Sequence, residues 1–275
     1  MGLAVALGAV AFAVFGGTSS HVVDPVAQAA TVSSGASGYR MRFSMEISSS
    51  AMATPMTATG GGTFEPRDHT GSLSLAMNFG NDPGVIQTLG SDVLTLHEVL
   101  KGTTIYAELP AALASAMQIS GKRWVAVNLA KLAGLPGLSV LGSNPVSSDP
   151  GQMLQYLRAV SDSVVAEGHQ VVDGVQTTHY RADLSLDRVA AALPSSDQAV
   201  AQQALSALEQ DVQTDELPVD VWVDAHHLVR RIEMSIAPTL GGGETLDEVM
   251  TMDISDYGPQ SPPSAPPADE VASFN

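Results

Sequence analysis

The sequence predicts an α+β fold: a single antiparallel sheet with two or three helices on one side. Three observations predict it. First, "PVDVWVDAHHLVRRIEMSI" (Pro218 to Ile236) reads as strand, turn, strand. Val219, Val221 and Val223 alternate with Asp220, Trp222 and Asp224; Ile232, Met234 and Ile236 then alternate with Arg231, Glu233 and Ser235. A period of two places alternate side chains on opposite faces, so one face of this hairpin is apolar and the other mostly polar. Second, short turn signals such as Lys101-Gly102 and Asp173-Gly174 join successive apolar runs as hairpins. Third, no strand–helix–strand rhythm of a parallel sheet occurs, nor any repeat of about 20 to 50 residues.

The elements follow in order. Residues 1–29 contain "LAVALGAVAFAVF" (Leu3 to Phe15), an uncharged apolar run too short to span a bilayer, which takes about 20 residues. It reads as the apolar core of a signal peptide, with "AQA" (Ala27 to Ala29) as a cleavage site and Ala30 as the mature start. Only Met1 and Gly2 precede the run, so the usual basic flank is missing, and Ala6 stands where N-myristoylation wants Ser or Thr. Residues 30–38 are small and polar and read as a linker. The sheet domain is expected over 39–258. It opens on "YRMRFSMEI", where Tyr39, Met41, Phe43, Met45 and Ile47 alternate with Arg40, Arg42, Ser44 and Glu46.

Thr57 to Phe64 is a second strand whose three glycines suggest a bulge or bend, and "PRDHTG" is a turn. Leu73, Leu75, Met77 and Phe79 mark a third strand. Val93 to Leu100 and Thr103 to Leu109 form a hairpin, and Lys122 to Asn128 is another strand. Asp149-Pro150 caps a helix with Met153, Leu154, Leu157 and Val160 on one face. Val164 to Leu186 holds the Asp173-Gly174 hairpin, and a second helix starts near Ser195 or Ser196 with Val200, Ala204, Leu208 and Val212 as its stripe. Met250, Met252 and Ile254 share a face of the last long strand, and residues 259–275 form a Pro-rich, extended tail.

Composition bounds the function. The 275-residue chain is 44% hydrophobic but only 15% charged, with 12 Lys+Arg against 29 Asp+Glu and a net charge of -17. That balance argues against nucleic acid, whose phosphates need basic clusters, and offers no polybasic footprint for an anionic membrane. Cys is absent, which excludes disulfides, thiolate metal sites, Cys nucleophiles and lipidation through a lipobox cysteine.

Methionine gives the functional signal. Met41, Met45, Met77, Met234, Met250 and Met252 all fall in the apolar phase of their strands. Strands ordinarily prefer Val, Ile and aromatic residues, whereas Met is unbranched and adapts to irregular or changing shapes. With Phe43, Phe79, Ile232 and Ile236 they form the candidate ligand-binding set, an apolar face for a hydrophobic ligand such as an acyl chain. The competing reading is that the same residues simply pack against the helices as core.

Other constellations carry less. His226-His227 beside Asp224 could suggest a metal, but adjacent strand residues point to opposite faces and ligand spacing is missing; a solvated turn is the expectation. Asp68-His69 lies in a turn, and "GLSVLG" (Gly137 to Gly142) is not a nucleophile elbow. No catalytic residue, metal site or cofactor is assigned, and the chain is not read as an enzyme. Trp222 is either an exposed anchor for a partner or a residue packed on the outer side. Arg230 either pairs with an anionic head group at a cavity mouth or reaches solvent at a strand end.

Four stretches, "GYRMRFSMEI", "GTTIYAELP" (Gly102 to Pro110), "PVDVWVDAHHLVRRIEM" and "DYGPQSPPSAPPADEV" (Asp256 to Val271), resemble the LolA-like superfamily, and within it the actinobacterial lipoproteins of the LppX/LprG type. Their order and spacing match from about Tyr39 to Val271. The resemblance implies an unclosed half-barrel, a curved antiparallel sheet wrapped around two or three helices, with lipid or lipoglycan acyl chains held between sheet and helices and carried across the cell envelope. It implies an extracytoplasmic protein, a hydrophobic ligand as partner, and an envelope membrane or transport partner. The family's lipidated Cys is missing; "FGGTSS" stands roughly where its lipobox would be. The alternative is an envelope interaction or sensing module of the same fold with no bound ligand.

Overall fold

The computed structural model describes residues 24–50, 52–116, 119, 121–128, 154, 157, 164–185, 188, 216–237 and 245–273. Its centre is one 12-stranded sheet. The strands are β1 (Tyr39–Ser49), β2 (Met56–Glu65), β3 (Thr70–Asn78), β4 (Val93–Lys101), β5 (Thr104–Glu108) and β6 (Trp124–Asn128), followed by β7 (Val165–Val172), β8 (Val175–Ser185), β9 (Glu216–Asp224), β10 (Val229–Ile236), β11 (Leu246–Ser255) and β12 (Val271–Ser273). Their order across the sheet is β12-β6-β5-β4-β3-β2-β1-β11-β10-β9-β8-β7. Two hairpin-built meanders therefore meet where β1 pairs with β11. The sheet does not close: β12 and β7 are its edges, which makes it an unclosed half-barrel. Every pairing is antiparallel except β12 with β6.

Turn chemistry agrees with the sequence. Asp173 and Gly174 both take positive φ (48° and 80°), the left-handed pair that a tight hairpin turn requires. The "PRDHTG" segment is a short 3-10 turn ending on left-handed His69 (φ 51°). Of the bulge or bend expected at the β2 glycines, the pairing excludes the bulge. Pairing runs without interruption from Tyr39↔Phe64 to Ile47↔Met56, so no bulge occurs. Instead the backbone is approached closely: a Cβ on Gly60 would come 2.5 Å from the Phe43 ring, and one on Gly62 would come 1.8 Å from the Ser72 carbonyl oxygen. Strong local curvature without side-chain bulk is what glycine permits in a bent sheet.

The linker expected over 30–38 is corrected. Residues 25–34 form α1 (Pro25–Ser34), capped by Asp24, whose carboxylate accepts from Val26 N (2.7 Å) and Ala27 N (3.2 Å), with Pro25 at the first helical position. Val26, Ala29, Ala30 and Ser33 are buried, and α1 lies on β9 and β10. Small side chains and hydroxyls read as flexible from composition, but an Ala/Val/Ser stripe at helical spacing lets a helix sit close to a sheet. The Ala30 start expected from the cleavage pattern therefore falls mid-helix.

Two further short helices are described, α2 (Pro83–Leu89) and α3 (Ala111–Ala116). Leu154 and Leu157, expected on one helix face, are fully buried in the main core. The remaining expectations for 129–163 and 186–215, including the stripe from Val200 to Val212, lie outside the described residues, as does Leu3 to Phe15. The Pro-rich tail is extended, but it does not leave the domain. Gln260 N donates to Glu65 Oε1 (2.7 Å), Arg123 N donates to the Glu270 carbonyl (3.1 Å), and the tail ends as β12 alongside β6.

Starting the chain at Ala30 removes the Asp24 cap and the buried Val26 side chain. The expected loss is about 1 kcal/mol for the cap plus about 1.5–3 kcal/mol for Val26, measured as a lower midpoint of chemical denaturation than that of a chain starting at Asp24.

Candidate functional site

Strand register assembles the candidate site row by row. One row runs Val219, Met234, Met250, Met45, Ala58, Met77, Leu94 across β9, β10, β11, β1, β2, β3 and β4. The next runs Val221, Ile232, Met252, Phe43, Gly60, Leu75, Leu96. A third contains Ile254, Met41, Gly62, Leu73 and Glu98. All the candidate residues on β1, β3, β10 and β11 thus lie on one face, and Phe79, the residue after β3, packs against the same core.

Burial divides them. Met41, Phe43, Ile232, Met250 and Met252 are buried, at 8% exposure or less. Met45, Met77, Phe79, Met234 and Ile236 are only partly buried and pack against that core. The division follows the strand axes. β1 goes from buried Met41 and Phe43 to half-buried Met45 and Ile47, and β10 from buried Ile232 to half-buried Met234 and Ile236. The face therefore has a dry end and a partly open apolar lip rich in methionine.

Aromatic packing and α1 close the dry end. Tyr39 stacks near Phe64 (ring centroids 5.9 Å apart) and Tyr257 (6.2 Å). Val229, beside a bulge in β10, is held from both chain ends: its N–H donates to Ser33 Oγ (2.8 Å), and its carbonyl accepts from the Tyr257 hydroxyl (2.6 Å). Burial drives the Tyr257 phenol well above its usual range, so it stays a donor.

Arg230 takes neither role considered from sequence. It pairs with Asp224 at 2.7 Å, with only 17% of its side chain exposed, and lies over the Tyr257 ring (5.3 Å). Burial alone would raise the Asp224 carboxyl, but hydrogen bonds from Leu228 N, Arg230 and His226 N hold it below the usual carboxylate value. Asp224 is thus the turn's internal cap, and His226 and His227 point out exposed. Among the described residues no group of three or more His, Asp or Glu could hold a metal ion.

Trp222 settles on the packed alternative. It is 6% exposed on the outer face, stacked on His179 (4.3 Å, 2°), and donates from Nε1 to Gln170 Oε1 (2.8 Å). His179 Nε2 in turn lies 2.6 Å from Asp220 Oδ1, and Arg231 reaches over the indole from its bidentate pair with Asp253. A cleft of about 450 Å³ lies between Glu108, α3 and Arg123 and is lined by none of the candidate residues.

Sequence reasoning missed two acids on the apolar face. Glu98 follows Leu94 and Leu96 in phase on β4, and Glu248 precedes Met250 and Met252 on β11. The signal was present, since both stand at apolar positions of a period-two run. Burial pushes the Glu98 carboxyl up to about 7 and also raises that of Glu248.

Two predictions follow from this geometry. Met41→Ala should destabilise the fold by about 2–5 kcal/mol, while Met234→Ala at the lip should cost well under half of that in the same denaturation assay. For Glu98, the folded state holds its proton up to about pH 7 while the unfolded chain loses it near 4.5. The folded state then binds more protons between these values, so this contribution is full below about 4.5 and lost as pH rises through about 7. Glu98→Gln should therefore flatten the fall in melting temperature across that window; an unchanged slope would exclude Glu98 as its source.

No family model and no curated protein matches the chain. Among solved structures, LprF from Mycobacterium bovis is similar at 12% identity and a TM-score of 0.46, covering 87% of this chain and 94% of that one. Mycobacterium tuberculosis lipoprotein LppX gives 13% identity and a TM-score of 0.42, with 86% and 98% covered. A putative outer membrane lipoprotein-sorting domain from Vibrio parahaemolyticus gives 9% identity and a TM-score of 0.28, with 84% and 89% covered. The fold class rests on this chain's own strand pairing.

Proposed function

We propose that the chain is an exported carrier that binds a lipid or lipoglycan acyl chain against the apolar face of its sheet. The observation that carries this reading is the half-buried lip of Met45, Met77, Phe79, Met234 and Ile236, continuous with the buried row behind it. A flexible thioether surface that is neither dry core nor free solvent face suits a flexible hydrocarbon. The cargo chain lies along the lip, and the buried residues Met41, Phe43, Ile232, Met250 and Met252 form its floor. The working location is extracytoplasmic, in keeping with the apolar run at Leu3 to Phe15. The protein needs no catalytic group for this role, because transfer of an apolar molecule requires only differential burial. The reading as a partner-binding module loses its anchor, since Trp222 is buried and hydrogen-bonded within the domain.

Native mass spectrometry tests this on protein purified without detergent from a host that exports it. The expected result is a lipid mass present in the native spectrum, lost on denaturation and recovered in a solvent extract. A Met45→Gln, Met234→Gln double variant should keep its circular dichroism spectrum and lose most of that load. A bare wild-type chain, even after incubation with lipid, would overturn the carrier reading and leave the face as core.

A further inference from the structure

We propose that the Glu98 side chain is the polar subsite of this apolar face, and that the cargo's head group donates hydrogen bonds and carries no negative charge. The inference rests on the carrier reading and adds the class of head group to it.

Placement carries the argument. In register, Glu98 stands opposite Leu73 on β3 and Ala107 on β5, and its in-phase neighbours on β4 are Leu96 and Leu100. It lines a small cavity of about 10 Å³ with Phe64, Leu73, Leu100 and Ile105, space for about one water-sized group. Leu100, Ile105 and Ala107 are half-buried, so the apolar surface continues past Glu98 towards the β5 edge and stays reachable. None of these neighbours is titratable, and among the described residues no hydrogen bond or ion pair reaches the Glu98 carboxyl. Desolvation is accordingly the cause of its raised protonation range.

Cargo laid on this face strips the carboxyl of its remaining water. A pure hydrocarbon would then leave it without a donor, which is costly for a buried polar group. Above about pH 7, where the carboxyl is ionised, an anionic head group would set like charge against it in an apolar medium. A hydroxyl or ammonium group satisfies it instead. The shared chemistry is a donor without negative charge, as in an acylglycerol or a long-chain amine.

The test uses the full chain and displacement of a neutral, fluorescent naphthylamine dye. Monopalmitoyl glycerol, hexadecylamine and palmitate are compared at about pH 8, above the Glu98 range. The expected result is that the glyceride and the amine displace the dye roughly tenfold more tightly than palmitate, the scale set by one buried polar group left unsatisfied. Glu98→Gln, nearly isosteric, should recover most of the loss for palmitate. Glu98→Leu should keep dye binding and lose the preference. Equal affinities in wild type, or the same preference in Glu98→Leu, would overturn the subsite while leaving the carrier reading standing. Failure of the wild-type chain to take up either dye or lipid would overturn the carrier reading itself.

Discussion

The structure depends on one pairing, that of β1 with β11. Ten residue pairs join them, from Arg40↔Ser255 to Ser49↔Leu246, between opposite ends of the domain sequence. On either side, strands consecutive in sequence lie side by side, apart from β12 at the edge. Only this pairing turns two meanders into one sheet. It also sets the register that aligns Phe43 with Met252 and Met45 with Met250, and a slip of one residue would turn every inner side chain outward. On the outer face the same ladder is pinned by Arg231 on Asp253, with Arg42 bridging Asp253 and Asp173. Because such a contact brings distant segments together, it carries a larger loop-closure entropy cost than the local hairpins.

Chain ends reinforce that seam. α1 precedes β1 and packs on the opposite meander, at β9 and β10, where Ser33 caps the Val229 amide. Tyr257 follows β11 and takes the Val229 carbonyl, while the tail crosses to pair with β6. The dry end of the apolar face is therefore bolted by contacts from three separated parts of the chain. Nothing comparable among the described residues covers the lip at the other end of the same strands. Closure at one end and partial exposure at the other follow from a single arrangement.

The two sheet faces use different chemistry. The outer side around β7 to β10 is a mesh of paired groups, His179 on Asp220, Trp222 on Gln170 and Arg231 on Asp253. The Trp222 Nε1–H is paired with Gln170, so even a large indole is absorbed without becoming an interaction anchor. The inner side is nearly all hydrocarbon and thioether, and its exceptions are therefore informative. Glu98 and Glu248 stand at positions where the alternation calls for an apolar residue, and burial raises both carboxyls.

The sequence by itself determined much of the fold. Strict alternation in β1, β9 and β10, with the turn glycines Gly174 and Gly102, settles strands, hairpins and apolar faces, because period two and positive φ are local properties of the chain; the β4–β5 turn falls on Gly102-Thr103, one residue after the Lys101-Gly102 expected. The phase of every candidate methionine was legible for the same reason. Local pattern could not say which strands become neighbours, so it could not separate Met41 and Met252, fully buried in the core, from Met45 and Met234 at the lip. It misread residues 30–34, whose small side chains look like a linker until the sheet they pack on is in place. It left the β2 glycines between a bulge and a bend; the pairing excludes the bulge, and the Phe43 ring and the Ser72 carbonyl occupy the space a Cβ would need. It left Arg230 between two roles that Asp224 and Tyr257 replace with a third. Burial, charge pairing and closure are sums over distant segments, and only the tertiary structure performs that sum.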